Sequence, residues 1–355
     1  MYYALSVLVA VVAAHESVGL LCFLGIISVW CMYRRFSKVH VVAVIVVGLL
    51  TCSYVSWQLT KQQQPLTLPA TLTFTDTYKI NGSSLRGLMK DADGRVVYIV
   101  YTFQNEQEKH AYEERALARH TFYVEGVLEA PSKPAHNYHF YMGDYLKSKG
   151  ATGILNVTNL KHVGQEHSIL QKIYAQRFAL SEHIHNVFPA SLAAEAEALM
   201  IGIQDQVDAD MNRAYQKLGI THLFAISGLH VALLSWLFFQ GLLRLRVRRE
   251  FATLLLMVIL PVYALLAGGA PSVWRAVSVV EFVMLARYFR WRLPIDDALA
   301  ISFIVFVLLQ PGAVYQVGFQ LSYLATVSLI YSGPVLARAR TWWMQGFLMT
   351  LFVSF

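Results

Sequence analysis

What this sequence has least of is charge: Asp, Glu, Lys and Arg make up 14% of its 355 residues, against 56% hydrophobic. Folded chains of this length in water carry about a quarter charged residues, and the mean hydropathy here is +0.46. A freely soluble globular protein is therefore excluded, because the surplus apolar surface needs lipid to face. Cysteine is scarce as well. Cys22, Cys31 and Cys52 all lie in apolar runs near the N-terminus, which argues against an exported disulfide framework and a Cys-based zinc site and leaves them as small apolar side chains. No Gly-x-x-x-x-Gly-Lys-[Ser/Thr] phosphate loop occurs, so the chain has no means of its own to harness ATP.

What is present is a series of long apolar runs, at 223–243, 251–267, 295–309 and 315–337. Several approach the roughly 20 residues a helix needs to cross a bilayer. Residues 18–33 and 39–59 read as a helical hairpin through the membrane, and 2–14 as a tilted or partial span. The last has no basic residue before it, which argues against a signal peptide. Basic residues mark alternate connections: Arg34, Arg35 and Lys38; Arg244, Arg246, Arg248 and Arg249; Arg287, Arg290 and Arg292; Arg338 and Arg340. The connections at 268–272 and 310–315 carry no Lys or Arg. An excess of Lys and Arg marks cytoplasmic loops, which puts the polar stretch 61–159 outside the cytoplasmic membrane. Arginine-rich loops also suit phosphates, and the two readings are compatible.

The polar stretch has strand-like segments at 68–78, 86–89, 95–103, 122–128 and 153–157, rich in β-branched and aromatic residues. Residues 105–119 read as a solvent-facing helix, and Asp93-Gly94 as a turn. Three strands, a helix and two strands is the order of a five-stranded OB barrel. Residues 169–194 mix apolar and charged positions and read as one or two amphipathic helices at the outer membrane face. There His183 and His185 stand two apart and face different ways, so no metal site is expected. The fold class expected is a mainly α-helical polytopic membrane protein with an inserted extracellular OB-like β-barrel. It divides into N-terminal membrane helices (1–60), an OB-like domain (61–160), interfacial helices (161–220) and a channel domain (221–355). The chain stops inside an apolar run at Phe355, which reads as a truncated product.

The most informative stretch is Gly219-Ile-Thr-His-Leu-Phe-Ala-Ile-Ser-Gly-Leu-His-Val231. His222, Ser227 and His230 in the first half of a membrane helix are expensive in hydrocarbon unless they face a bundle interior or a water-filled path. Ser227 and His230 are three apart and share a helix face, and Gly228 permits close approach of another backbone. Further on, Gly268, Gly269 and Pro271 break the chain so that a new helix starts near Ser272, with Arg275 one turn inside. A helix start attracts phosphate, so Arg275 is either a phosphate way-station or an arginine reaching outward to headgroups. Glu281 is expected near mid-membrane, protonated or paired with a neighbouring helix. Gln316 and Gln320 either bond between helices or line a path.

These stretches resemble the ComEC competence family. The first motif resembles that family's signature, 268–276 its Gly-x-x-Pro-Ser-x-x-Arg-Ala element, and Gln310-Pro311 followed by Gly318-Phe-Gln-Leu-Ser322 a later one. Residues 137–150 resemble the end of its OB-like domain. The resemblance implies a channel for single-stranded DNA during natural transformation, with His222, Ser227, Gly228, His230, Pro271, Ser272, Arg275, Gln320 and Ser322 along the DNA path. It also implies a surface DNA receptor and a cytoplasmic DNA-translocating ATPase as partners, with no cofactor; a homo-oligomer is compatible with it. The family's metallo-β-lactamase-like nuclease domain, with its His-x-His-x-Asp-His pattern, has no counterpart here, so no enzymatic activity is expected.

In the OB-like domain, Tyr98, Tyr101, Phe103, Phe122 and Tyr123 are candidates for a base-stacking platform with Arg95 beside them. Alternation puts Tyr98 on the side opposite Val97 and Ile99, so some of these rings are expected to fill the core instead. Two rival functions remain at this point. One is a small-solute transporter, since broken helices with polar residues at mid-membrane also mark substrate sites, although no inverted repeat is evident. The other is an intramembrane hydrolase with Ser227 as nucleophile and His230 as base, which lacks an orienting carboxylate.

Overall fold

The computed structural model describes residues 2–15, 38–62, 66–113, 115–132, 141–165, 168–203, 209–218 and 226–336, with 341 and 344. The expected span at 18–33 and His222 lie outside them. The chain forms two compact units, one of Met1–Thr60 with Arg275–Phe355 and one of Lys61–Trp274.

The second unit contains a closed five-stranded barrel in the order β1-β2-β3-β5-β4. Its strands are β1 (Ala70–Asn81), β2 (Ser84–Lys90), β3 (Val96–Thr102), β4 (His120–Glu129) and β5 (Ala151–Gln165). All pairs are antiparallel except β3 with β5. That order, with one parallel pair and a helix between β3 and β4, is the OB arrangement expected from the sequence. The helix itself is shorter than expected. Following α1 (Tyr2–His15) and α2 (Lys38–Gln62), it is α3 (Glu106–Glu113), and a separate 3-10 turn covers Leu117–Arg119. A helix missed in the sequence, α4 (Met142–Lys149), leads into β5 and ends on Gly150, whose positive φ of 69° closes it.

Alternation decides which side chains fill the barrel. Val97, Ile99, Tyr101 and Phe103 are successive inward positions and are buried, as are Leu72, Phe74, Leu85, Met89, Phe122 and Leu155. Each fully buried side chain of this size contributes about 1.5–3 kcal/mol. Tyr101, Phe103 and Phe122 therefore cannot be a stacking platform for bases; they are core. Tyr101 confirms this chemically. Its hydroxyl donates to Glu108 Oε1 at 2.6 Å, and burial followed by the Glu108 carboxylate pushes its pKa upward, so it stays a donor. At Gly126, where β4 and β5 shift register, an added Cβ would lie 2.2 Å from the Asn156 carbonyl oxygen.

On the barrel rim His120 Nδ1 and His162 Nε2 lie 2.8 Å apart, a distance that requires one proton between them. Burial first, then the His162 ring and Arg115 and Arg119, lowers the His120 pKa below its ordinary 6.5. The unfolded chain then binds a proton that the folded barrel resists, so stability is full above that value and declines as the pH falls below it. The melting temperature should drop between pH 7.5 and 5.5 (about the range spanning an ordinary histidine), and His120→Gln should flatten that slope; an unchanged slope would discount the pair.

Beyond the barrel lie α5 (Ile169–Val187), α6 (Ala193–Ile201), α7 (Ala209–Lys217), α8 (Gly228–Arg244) and α9 (Arg249–Leu266). Then come α10 (Pro271–Tyr288), α11 (Ile295–Leu309), a 3-10 turn at Pro311–Tyr315 and α12 (Val317–Leu336). In the first unit Val7 and Val11 of α1, Val55 of α2, Leu299 and Val307 of α11, and Phe319 and Tyr323 of α12 share one core. Among the described residues two helical segments, Val39–Thr60 and Arg249–Leu266, are long and apolar enough to cross a membrane, with mean hydropathies of 2.1 and 1.8. Much of their apolar surface is bare, including Leu50, Trp57, Phe251 and Val258, which is what lipid would cover.

Candidate functional site

The helix that carries the first motif starts later than the sequence suggested. Ser227 is not inside α8 but is its N-cap, and the expected shared helix face is in fact a cap. The Ser227 N–H donates to His230 Nδ1 at 3.1 Å, and the Ser227 side chain and the third backbone N–H complete a reciprocal capping box. Ser227 Oγ also lies 2.9 Å from the same nitrogen. Histidine replaces the usual Glu or Gln of such a box, which is why the pattern is not obvious in the sequence. Gly228 is the first helical residue, and His230 is exposed.

Immediately before the cap, the Ile226 carbonyl accepts a hydrogen bond from Ser272 Oγ at 3.0 Å. The first and second motifs thus meet, although they are 46 residues apart. The break between α9 and α10 is the one the glycines predict: Gly268 and Gly269 adopt φ of 78° and 64°, a conformation that L side chains resist, and Pro271 opens α10. Gly202, at the end of α6, faces the same place; an added Cβ would lie 2.7 Å from the Ala267 carbonyl oxygen and 3.3 Å from Ile226 Cδ1.

The second and third motifs meet within the first unit. Arg275 Nη1 donates to the Ser322 carbonyl and to Thr326 Oγ1, both on α12. The guanidinium is thereby a brace between α10 and α12. One turn along α10, Ser278 Oγ lies 2.6 Å from Ser302 Oγ, which lies 2.9 Å from the Tyr323 hydroxyl, so three helices are tied by hydroxyl groups in an apolar setting. Gln320 bonds locally, its Nε2 donating to the Val314 carbonyl at 2.8 Å. Glu281 Oε1 is buried and has no hydrogen-bond partner among the described residues; the neighbouring-helix pairing expected for that oxygen is not found there.

Other polar residues of the site were not singled out by the sequence. Arg177 on α5 is buried and donates through Nε and Nη2 to the Ile201 carbonyl, capping α6. It also packs over Gly268, where a Cβ would lie 2.5 Å from its Nη2. Glu197 on α6 is wholly buried, taking a hydrogen bond from Ser181 and facing His185 Nε2 at 3.2 Å. Of the proposed barrel platform, Tyr98 and Tyr123 remain half-exposed. Arg95 is held by Asp91 at 2.6 Å and Asp93 at 3.0 Å, which offsets its charge.

Fold and site together define a helical, membrane-associated protein carrying an OB-like barrel. The model of the family described as competence protein matches residues 199–355, the region that contains all three motifs. The chain is also 30% identical over 265 residues to ComE operon protein 3 of Bacillus subtilis (strain 168), across 74% of this chain and 34% of that protein. It thus spans about a third of the length of the relative it matches. The chain belongs to the ComEC family of competence proteins.

Proposed function

We propose that this chain forms the membrane channel through which a single strand of DNA is taken up during natural transformation. The observation that carries the reading is that the family's motifs meet in pairs, the first with the second in one unit and the second with the third in the other. Ser272 reaches Ile226 beside the Ser227 cap, and Arg275 reaches Ser322 and Thr326. Polar groups at these positions are costly in lipid, and a conduit that must tolerate a polyanion is a reason to retain them. On this reading the protein is multi-pass in the bacterial cytoplasmic membrane with the barrel outside. It acts as a channel rather than an enzyme, and it works with a surface DNA receptor and a cytoplasmic ATPase. Ser227, Gly228, His230, Pro271, Ser272, Arg275, Gln320 and Ser322 border the path or fix its walls. The hydrolase alternative is disfavoured because the His230 nitrogen nearest Ser227 is engaged by the cap's backbone N–H. Small-solute transport finds no support in the family match.

The test is uptake of labelled DNA by competent cells carrying variants of the capping box. Loss of such a cap costs about 1–2 kcal/mol, enough to let the start of α8 fray. Ser227→Ala and His230→Ala should cut internalised DNA by about tenfold at unchanged surface-bound DNA, while Ser227→Thr preserves uptake. Equal loss of surface-bound DNA, or undiminished uptake, overturns the reading.

A further inference from the structure

Three helices of this chain close in the same way. Beyond the caps of α8, α9 and α10, two successive backbone N–H groups turn back to carbonyls of the last turn. Arg246 bonds to Leu243 and Val247 to Leu242, Gly268 to Leu265 and Gly269 to Ala264, Arg290 to Arg287 and Trp291 to Ala286, all between 2.7 and 3.1 Å. This closure puts its first residue at positive φ, where glycine is the ordinary choice. Gly268 conforms at φ 78°, but Arg246 and Arg290 hold φ 60° and 58° with a side chain in place, alone in this among the non-glycine described residues. We propose that Arg246 and Arg290 each bind the phosphate of an anionic phospholipid headgroup at the membrane edge. The inference rests on the multi-pass reading and not on the passage of DNA.

A side chain kept in a backbone conformation that resists it points to a role for that side chain. Completing the helix end is not that role. A cation near a helix C-terminus favours the helix dipole, but Arg244 and Arg287 already stand in the last turns of α8 and α10. Nor does the closure need arginine, since α9 makes it with Gly268. Both arginines are exposed, as are Arg248 and Arg249 beside the first and Arg292 beside the second. Four arginines face Glu250 at one turn, and three face Asp296 and Asp297 at the other, so each turn keeps a positive surplus that an anion would meet.

The surroundings identify the anion as lipid. From Arg249 the chain runs directly into α9, whose Phe251, Leu254 and Val258 are exposed. Val258 lies about 14 Å along the helix from Arg249 at 1.5 Å per residue, roughly half the 30 Å of a bilayer's hydrocarbon. With Val258 at mid-membrane, the arginine turn therefore stands at headgroup level. Leu245, 77% exposed next to Arg246, suits the same boundary. At the other turn Tyr288, Phe289 and Trp291 are exposed, and the Phe289 and Trp291 rings stack on each other at 5.2 Å. Aromatic rings among arginines mark the interface between headgroups and hydrocarbon. A nucleic acid strand would use the cations and leave Leu245 and Phe251 bare.

The experiment titrates the full chain, held in a neutral detergent, with phosphatidylglycerol and separately with phosphatidylcholine, and reads the melting temperature. In the wild type phosphatidylglycerol should raise it and phosphatidylcholine should not. Arg246→Gly with Arg290→Gly should act in two opposite directions. Without lipid the melting temperature rises by about 2 °C, because glycine accepts the positive φ, while the phosphatidylglycerol concentration giving half the lipid-induced rise increases about fivefold. Arg246→Lys with Arg290→Lys keeps both charge and backbone strain and should stay within about twofold of wild type. An arginine with a merely structural role would move the first reading and not the second. The lipid sites are overturned by an undiminished phosphatidylglycerol response in the glycine variant, by an equal response of the wild type to phosphatidylcholine or inorganic phosphate, or by displacement of phosphatidylglycerol by oligo(dT), which would assign the turns to nucleic acid. Any of these in a chain that resists extraction by alkaline carbonate leaves the multi-pass reading standing, whereas release of the chain by carbonate sinks that reading and the lipid sites with it.

Discussion

Arg275→Ala is expected to lower the amount of folded chain in the membrane and not only its activity. The guanidinium donates to a carbonyl and a hydroxyl of α12, and hydrogen bonds from a charged group to such acceptors contribute about 1.5–3 kcal/mol. Removing the side chain leaves a cavity between two helices and an under-satisfied carbonyl, so the total loss should be about 2–4 kcal/mol. Arg275→Lys keeps the charge but loses the planar fork, and should be intermediate. Thr326→Val removes one acceptor and should cost less than either. The measurements are the melting temperature of the detergent-solubilised chain and immunoblots of membrane fractions. If Arg275→Ala abolished DNA uptake at undiminished abundance and melting temperature, the brace would be a minor role and the phosphate way-station its main one.

The barrel was legible because period-two alternation and turn residues are local signals. The turn at Asp91–Gly94 closes with Gly94 at φ 87°, and Arg95 N–H donates to Asp91 at 2.8 Å, as the Asp-Gly pair suggests. The same alternation correctly separates Tyr98 from Val97 and Ile99. The platform reading failed where it combined both faces of β3 with β4, grouping Tyr101, Phe103 and Phe122 of the core with Tyr98 and Tyr123. Only the register that sets Arg86 opposite Lys79, and the packing of α4 on the barrel where Tyr145 meets Tyr98, reveal which side chains are neighbours there. Both depend on register and on a helix whose eight residues carry too weak a pattern to be recognised alone.

The helix break at 268–271 was legible for a similar reason, since two glycines and a proline allow few backbone paths. Less visible was what fills the space beside it. Arg177 and Ile201 are 24 residues apart on different helices, and neither has a neighbour in sequence that predicts the contact. The capping box was hidden in another way: a serine and a histidine three apart are equally consistent with a buried helix face, and only the backbone at Ser227, extended at φ −99° and ψ 165°, separates the two.

Glu197→Ala should produce the other large effect. Its carboxylate is fully buried between α5 and α6, with Ser181 donating to one oxygen and His185 Nε2 at 3.2 Å from the other. A buried carboxylate is tolerable only when such partners replace water. Truncation to alanine strands Ser181, opens a void and unties the two helices, for an expected loss of about 2–4 kcal/mol. Glu197→Gln keeps the volume and can still accept from Ser181, so it should lose about half as much. Because Arg177 on α5 caps α6 through Ile201 and packs over Gly268, loosening α5 from α6 also disturbs the helix break at Gly268. The full chain carrying Glu197→Ala should therefore melt earlier and become protease-sensitive between α5 and α6. An unchanged melting temperature and an unchanged proteolysis pattern would mean that the clamp between the helices is dispensable.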